Sequence, residues 1–179
     1  MSVDLSQPHP YRSWVDENDC GNTCCLAPVL DPIHIHPRRI RVDVRGTPIP
    51  QGSLRLHPLP NGKTAARYPA TVYAWRGQVQ QAVAQLEEPP LGGAVELRLG
   101  FDLPRPMGHY GTGRNAGVVR PSAPAWPTVM PDVDKLARCI CDAITDAGLW
   151  HDDSQVVSLT AAKRYGSPPG VLIQITELL

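Results

Sequence analysis

The 179 residues suit one domain with an extension, and a core of ordinary size can form. Its 17 Lys and Arg balance 17 Asp and Glu, so it lacks the basic surplus of most phosphate binders, although a neutral total can hold a basic face opposite an acidic metal site. The 20 prolines announce long loops, and no apolar run nears the roughly 18 residues of a membrane span, so no membrane partner is expected.

Residues 1–39 show little periodicity and read as an N-terminal extension to a domain at 40–179. The opening "MSVDLSQPHPYRSW" lacks the basic and apolar regions of a secretory signal, so an intracellular, cytoplasmic protein is expected. "DCGNTCC" and "HIH" place Cys20, Cys24, Cys25, His34 and His36 near one another in sequence. Thiolates and imidazoles suit Zn²⁺, but the spacing is not that of a standard finger, and free thiols are the plainer reading. An odd total of 5 cysteines argues against a disulfide framework.

In "IRVDVRG" (40–46), Ile40, Val42 and Val44 alternate with Arg41, Asp43 and Arg45, as in a half-buried strand. A Pro/Gly-rich loop with Arg55, Lys63 and Arg67 follows. "TVYAWRGQVQQAVAQLEE" (71–88) has helical spacing. Trp75, Val79, Val83 and Leu86 share a stripe, Val72 and Ala82 flank it, and Pro89 and Pro90 end it. "GAVELRLGFDL" (93–103) is a second strand, with Val95, Leu97, Leu99 and Phe101 on its apolar face. A long loop at about 104–130 carries Arg105, His109, Arg114 and Arg120; loops of this length are usually functional or disordered.

A second helix is expected from Asp134 to Ala147, burying Leu136, Ile140, Ala143, Ile144 and Ala147, with Gly148 just past its end. "QVVSLTAAKRYG" and "GVLIQITEL" are two more strands; the turn "YGSPPG" between them suggests an antiparallel hairpin. The order predicts an α+β fold, a small mixed sheet with two main helices packed on one face.

The second helix is bracketed by carboxylates: Asp132 and Asp134 before it, Asp152 and Asp153 after it. Acid at a helix N-terminus meets the positive end of the macrodipole, whereas acid past the C-terminus gains nothing there. The first pair can converge if Asp132 lies in the cap and Asp134 in the first turn. Asp134, Arg138 and Asp142, spaced i, i+4, i+8, are expected on one face. Hard oxygen ligands suit Mg²⁺ or Mn²⁺, and Arg138 could hold a phosphate beside them. The plain alternative is a capped helix followed by a charged turn. The far pair cannot reach the start through the helix itself. A return path of the chain or a second copy would have to close the gap.

The stretch "PDVDKLARCICDAITDAGLWHDDSQVV", followed by "KRYG", resembles the RusA family of Holliday-junction resolvases of phages and prophages. The family pattern of D-x-D-N-L, a helix with a lysine, then G-x-x-x-D-D-x-Q-V reads here from Asp132 through Leu136 and from Gly148 to Val156. The resemblance implies a homodimer that resolves four-way DNA junctions by paired, symmetric, metal-dependent cuts. It places metal ligands at Asp132, Asp134 and Asp153, and the catalytic lysine at Arg138, which keeps the charge but cannot donate a proton near neutral pH. Lys135 stands where the family usually has Asn. A junction-binding protein with weak or no cleavage is the alternative, and a structural or regulatory protein of the phage a further one. Lys135, Arg105, Arg114 and Arg120 are candidate DNA contacts. Trp126 is a better candidate for base stacking than Trp75 or Trp150. His151 could support the site or be a solvated turn residue; Cys139 and Cys141 lie on the helix, and Cys139, bordering its core stripe, reads as packing.

Overall fold

The structure, a computed structural model, describes residues 37–58, 61 and 63–178. The Cys20/Cys24/Cys25/His34/His36 cluster lies outside the described residues. Strand β1 (Arg39–Arg45) alternates as expected, with Ile40, Val42 and Val44 buried between exposed charges. The Pro/Gly-rich stretch after it is not all loop. It holds a small antiparallel hairpin, β2 (Arg55–Pro58) with β3 (Thr64–Arg67), that forms a sheet of its own. Strands of four residues are too short to leave a readable period.

Helix α1 (Ala70–Ala84) buries Val72, Trp75, Val79 and Val83, and Ala82 and Leu86 pack partly against the same core. It stops at Ala84, short of Pro89, and Glu87 already has a left-handed φ of 53°. The proline therefore follows a completed exit rather than breaking the helix. At the other side of the α1 packing, Gly46 has a φ of 136°, and a Cβ there would stand 2.9 Å from the Trp75 ring. Only glycine fits that close approach.

Strands β4 (Val95–Leu103), β5 (Val156–Tyr165) and β6 (Gly170–Glu177) complete the main sheet, in the order β1-β6-β4-β5. β4 is parallel to β5 and antiparallel to β6, which is antiparallel to β1. The expected hairpin of the last two strands does not form: β4 lies between them. Their turn bonds outward instead, Gly166 N–H to Leu103 O at 3.0 Å and Gly46 N–H to Pro169 O at 3.0 Å. Pro168 and Pro169 bring no N–H to a hairpin ladder. A parallel β4–β5 pair needs a crossover, and helix α2 (Val133–Ala147) supplies it.

α2 buries Leu136, Ala137, Cys139, Ile140, Cys141, Ala143 and Ile144. Gly148 ends it with a φ of 74°, a conformation that costs other L-residues about 1–2 kcal/mol. β4 is one of the two inner strands. Val95, Leu97, Leu99, Phe101 and Leu103 are all buried, in one core with α1 and α2. The fold is α+β, a mixed sheet of four strands with two helices.

Candidate active site

The mouth of α2 gathers five charged side chains. Asp132 occupies the N-cap position in extended conformation, but its side chain makes no capping bond. It instead accepts from Lys135 Nζ at 2.5 Å. That ammonium, and then the charge of Lys163, holds the Asp132 carboxyl below the usual carboxylate range. The same contact raises Lys135. Asp134 lies in the first turn and Arg138 one turn on; both are exposed, and neither makes a hydrogen bond or ion pair among the described residues. Lys163 completes the group. Its Nζ donates to Val129 O at 2.8 Å and Pro131 O at 2.7 Å, tying the end of β5 to the entrance of α2.

Lys163 was not among the expected site residues, although a signal was present. It pairs with Phe101, on the face of the sheet that the helices cover, where an apolar residue is the rule. Neutral carbonyls hold it without cancelling its charge.

The second acidic pair splits. Asp152 accepts from Ser154 N–H at 2.9 Å and forms a capping box with Gln155. Hydrogen bonds from Ser154, side chain first and then backbone, pull its carboxyl down. Asp152 is thus a cap of the short 3₁₀ turn at Asp153–Gln155, and Asp153 stays exposed without a hydrogen bond or ion pair among the described residues. His151 is exposed, with its N–H held by Gln155 Oε1 at 2.7 Å. The charge of Asp153 is felt at Cys141, a helical rise of about 14 Å beyond Asp132. Among the described residues of one chain, no group of three or more His, Cys, Asp or Glu is close enough to hold a metal ion.

Asp142 does not share the Asp134 face. Each step of four residues turns about 40°, so two steps swing it toward α1. There it accepts from Gln51 Nε2 and, at 3.1 Å, from Arg76 Nη1. Arg76 also donates to Asp146 at 2.5 Å. Burial works to lower the Arg76 pKa, but Asp146 and then Asp142 outweigh it and the net movement is upward. Gln51 is only 1% exposed, and its N–H reaches Lys135 O at 2.9 Å. The Pro-rich loop after β1 is thereby fastened to the first turn of α2. No periodicity in a Pro/Gly-rich stretch marks such a residue in advance. Between this loop and α2 lies a groove of about 740 Å³, with Pro48, Ile49, Leu54 and Met130 on its apolar side and Asp132 and Lys135 on its polar side.

The loop arginines take different places. Arg105 lies 4.2 Å over the Tyr165 ring and donates to Pro124 O; Arg120 donates to Tyr110 O at 2.6 Å. Both brace the long loop. Arg114 is exposed and makes no such bond among the described residues. Trp75 and Trp150 are 3% and 1% exposed, and Trp150 Nε1 donates to Thr145, so neither has a face open to a base. Trp126 is 48% exposed and keeps one. Cys139 and Cys141 are free thiols in the core, pushed by burial to about 12 and about 11.

Acidic and basic side chains thus crowd the mouth of the crossover helix of a small α+β domain, a charge arrangement chemically able to attract a cation and a phosphate. A model of the family described as Endodeoxyribonuclease RusA matches residues 46–176. That covers most of the chain, which belongs to this family of Holliday-junction endonucleases. The chain is also 30% identical over 149 residues to Uncharacterized protein YqaN of Bacillus subtilis (strain 168), an alignment that spans 78% of this chain and 96% of that protein.

Proposed function

We propose that this endonuclease resolves four-way DNA junctions as a homodimer, with a divalent ion held at each of two sites. The observation that carries the reading is the mouth of α2: two carboxylates, Asp132 and Asp134, neither used as a side-chain cap, beside Lys135, Arg138 and Lys163. Hard, exposed carboxylate oxygens fit Mg²⁺ or Mn²⁺. Asp132, Asp134 and Asp153 would hold the ion, which supplies Lewis acidity toward a phosphodiester oxygen. Arg138 and Lys135 bind the scissile phosphate and offset the charge that develops on it. Arg138 stays protonated, so proton delivery falls to another group. The groove beside Asp132 and Lys135 offers an apolar wall to sugar and base and a polar wall to phosphate.

The polarity of the chain argues that the site is shared. β5 runs back along α2, so its Lys163 end meets the helix entrance and its Asp153 end lies far from it. A second copy can bring its own Asp153 to Asp132. One experiment tests both statements. Asp132→Asn and Asp153→Asn proteins are each incubated with a labelled four-way junction and Mg²⁺, alone and mixed. Each alone should be inactive. In a mixed dimer one shared site keeps all its carboxylates, so mixing should restore nicking of one strand. Wild-type protein that leaves the junction intact with Mg²⁺ and with Mn²⁺ sinks the function. Activity of wild type without rescue on mixing sinks only the sharing.

The Lys135–Asp132 ion pair favours a second reading, tight junction binding with slow cleavage, because the ammonium competes with a metal for one ligand. Lys135→Asn should then lower the Mg²⁺ concentration needed for half-maximal cleavage severalfold. An unchanged or higher requirement removes this reading.

A further inference from the structure

We propose that the cavity between the long loop and the end of β5 takes an unpaired base of the DNA, stacked against Arg105, Tyr165 and Tyr110. The proposal rests on the reading of the chain as an enzyme of branched DNA, and it adds a place where such DNA is gripped apart from the mouth of α2.

Trp75, Phe101 and Trp150 are closed off in the core. Tyr110 and Tyr165 are only half-buried, and both line a cavity of about 530 Å³. That is the size of a small-ligand site. Met107 and Ser167 line it too, and of all its lining residues Arg105 alone is charged. The walls are already set. The Arg105 guanidinium lies 4.2 Å over the Tyr165 ring, and the His109 ring meets the same ring edge-on, with centroids 5.5 Å apart and planes at 88°. Gly111 N–H donates to Val118 O at 2.9 Å and Arg120 N–H to His109 O at 2.8 Å, which ties the loop across itself. A ligand entering such walls has little side-chain freedom to remove.

The lining chooses the occupant. Arginine planes and tyrosine rings stack on nucleobases, and a single cation with no carboxylate beside it suits a ligand that carries phosphate. A paired base is covered on both faces by its neighbours in the duplex, so the occupant is unpaired. Ser167 and the two tyrosine hydroxyls offer few hydrogen bonds to a base edge, so recognition is by stacking and tolerates any base. The cavity is also well placed. Lys163 pairs with Phe101 and Tyr165 with Leu103, so both side chains stand on one face of the sheet, about 7 Å apart along the strand. A strand whose phosphate lies at Lys163 can put a neighbouring base into the cavity.

The test is photocrosslinking of the full chain without divalent ions, so that the DNA stays whole. The probes are single-stranded oligothymidine and a four-way junction with an unpaired thymine at its centre, each carrying one 5-iodouracil. The expected result is a crosslink on the peptide of Tyr165 or of Tyr110, mapped by mass spectrometry. Tyr165→Leu and Tyr110→Leu should each weaken oligothymidine binding by roughly 5- to 100-fold while leaving fully paired duplex binding unchanged. A merely structural tyrosine would lower both together, and that outcome overturns the proposal. Crosslinks confined to other peptides, Trp126 included, overturn it as well, as does oligothymidine that does not bind. If Tyr165→Leu does not fold, Tyr110→Leu and the crosslink on the unmodified protein decide. A protein that crosslinks through these tyrosines and cuts no junction with Mg²⁺ or Mn²⁺ loses the resolvase reading and keeps this cavity. One that cuts junctions and crosslinks elsewhere does the reverse.

Discussion

Asp132 and Asp153 have the same chemistry and different surroundings, and the surroundings set what each can do. Asp132 is drawn below the ordinary carboxylate range by Lys135. On the metal-site reading proposed above, Asp132→Asn removes a ligand and a negative charge together. Cleavage should be lost while junction binding holds or tightens, as read by a gel-shift titration beside single-turnover cutting. An Asn variant that cuts at the wild-type rate would remove Asp132 from the site. Arg138 is tested in the same assay. Loss of one electrostatic donor typically costs about 10²- to 10³-fold in rate, which is the fall expected for Arg138→Ala at saturating Mg²⁺. Arg138→Lys should keep activity if a fixed charge suffices, and exceed wild type if a proton must be delivered.

The two core thiols make a prediction about pH. Burial raises Cys139 to about 12 and Cys141 to about 11, above the value of an exposed thiol. Their contribution to stability is complete below the unfolded pKa, near 8.5. It falls as pH rises from there toward the folded values, because the unfolded chain loses thiol protons that the folded chain keeps. The expected slope is up to about 1.4 kcal/mol per pH unit for each thiol. Urea unfolding between pH 8 and 11, repeated on Cys139→Ala and Cys141→Ala, measures it, and a flat profile that both variants share would contradict it.

At the scale of elements, α2 is held in place from two sides. Its start is fixed by Gln51 through Lys135 O and by Lys163 through Pro131 O. Its middle is fixed by Arg76, which bridges Asp142 and Asp146 across to α1. Arg76→Ala would leave Asp142 half-buried with Gln51 as its remaining partner. The loss should be about 1–3 kcal/mol, toward the lower end because these side chains keep some water contact. Denaturant midpoints measure that loss. Single-turnover cutting well below the melting temperature should change little, since Arg76 lies away from the mouth of the helix. A large fall in that rate at full folding would place the α1–α2 bridge in the catalytic geometry itself.

For the whole molecule, a formally neutral chain can still bind DNA because its charges are sorted. The basic side chains Lys135, Arg138 and Lys163 stand at one end of α2, and Arg114 stands on the exposed long loop. Junction affinity should fall with salt, and Arg114→Ala should flatten the slope of log K against log salt by about 0.9 if it meets a phosphate. An unchanged slope makes it a solvated loop residue. The proposed dimer would link folding to association, and the melting temperature should then rise with protein concentration.

Much of this was written along the chain. The alternation in β1 and β4, the stripes of both helices and the glycine after α2 are local patterns, because burial of one face repeats every two residues in a strand and every 3.6 in a helix. The motif from Asp132 to Val156 was equally legible, as spacing within one crossover unit. The tertiary structure alone decided the rest. Whether β5 pairs with β6 or with β4 depends on competition among strands far apart in sequence, and adjacency in the chain pointed to the wrong neighbour. Asp142 was assigned to the Asp134 face by counting in fours, but a helix drifts with each count and α1 was waiting with Arg76. Gln51 and Lys163 act only because folding brings a loop and a strand end to the mouth of a helix. The distance from Asp153 to Asp132 is likewise a property of how β5 runs against α2, which no spacing in the sequence contains.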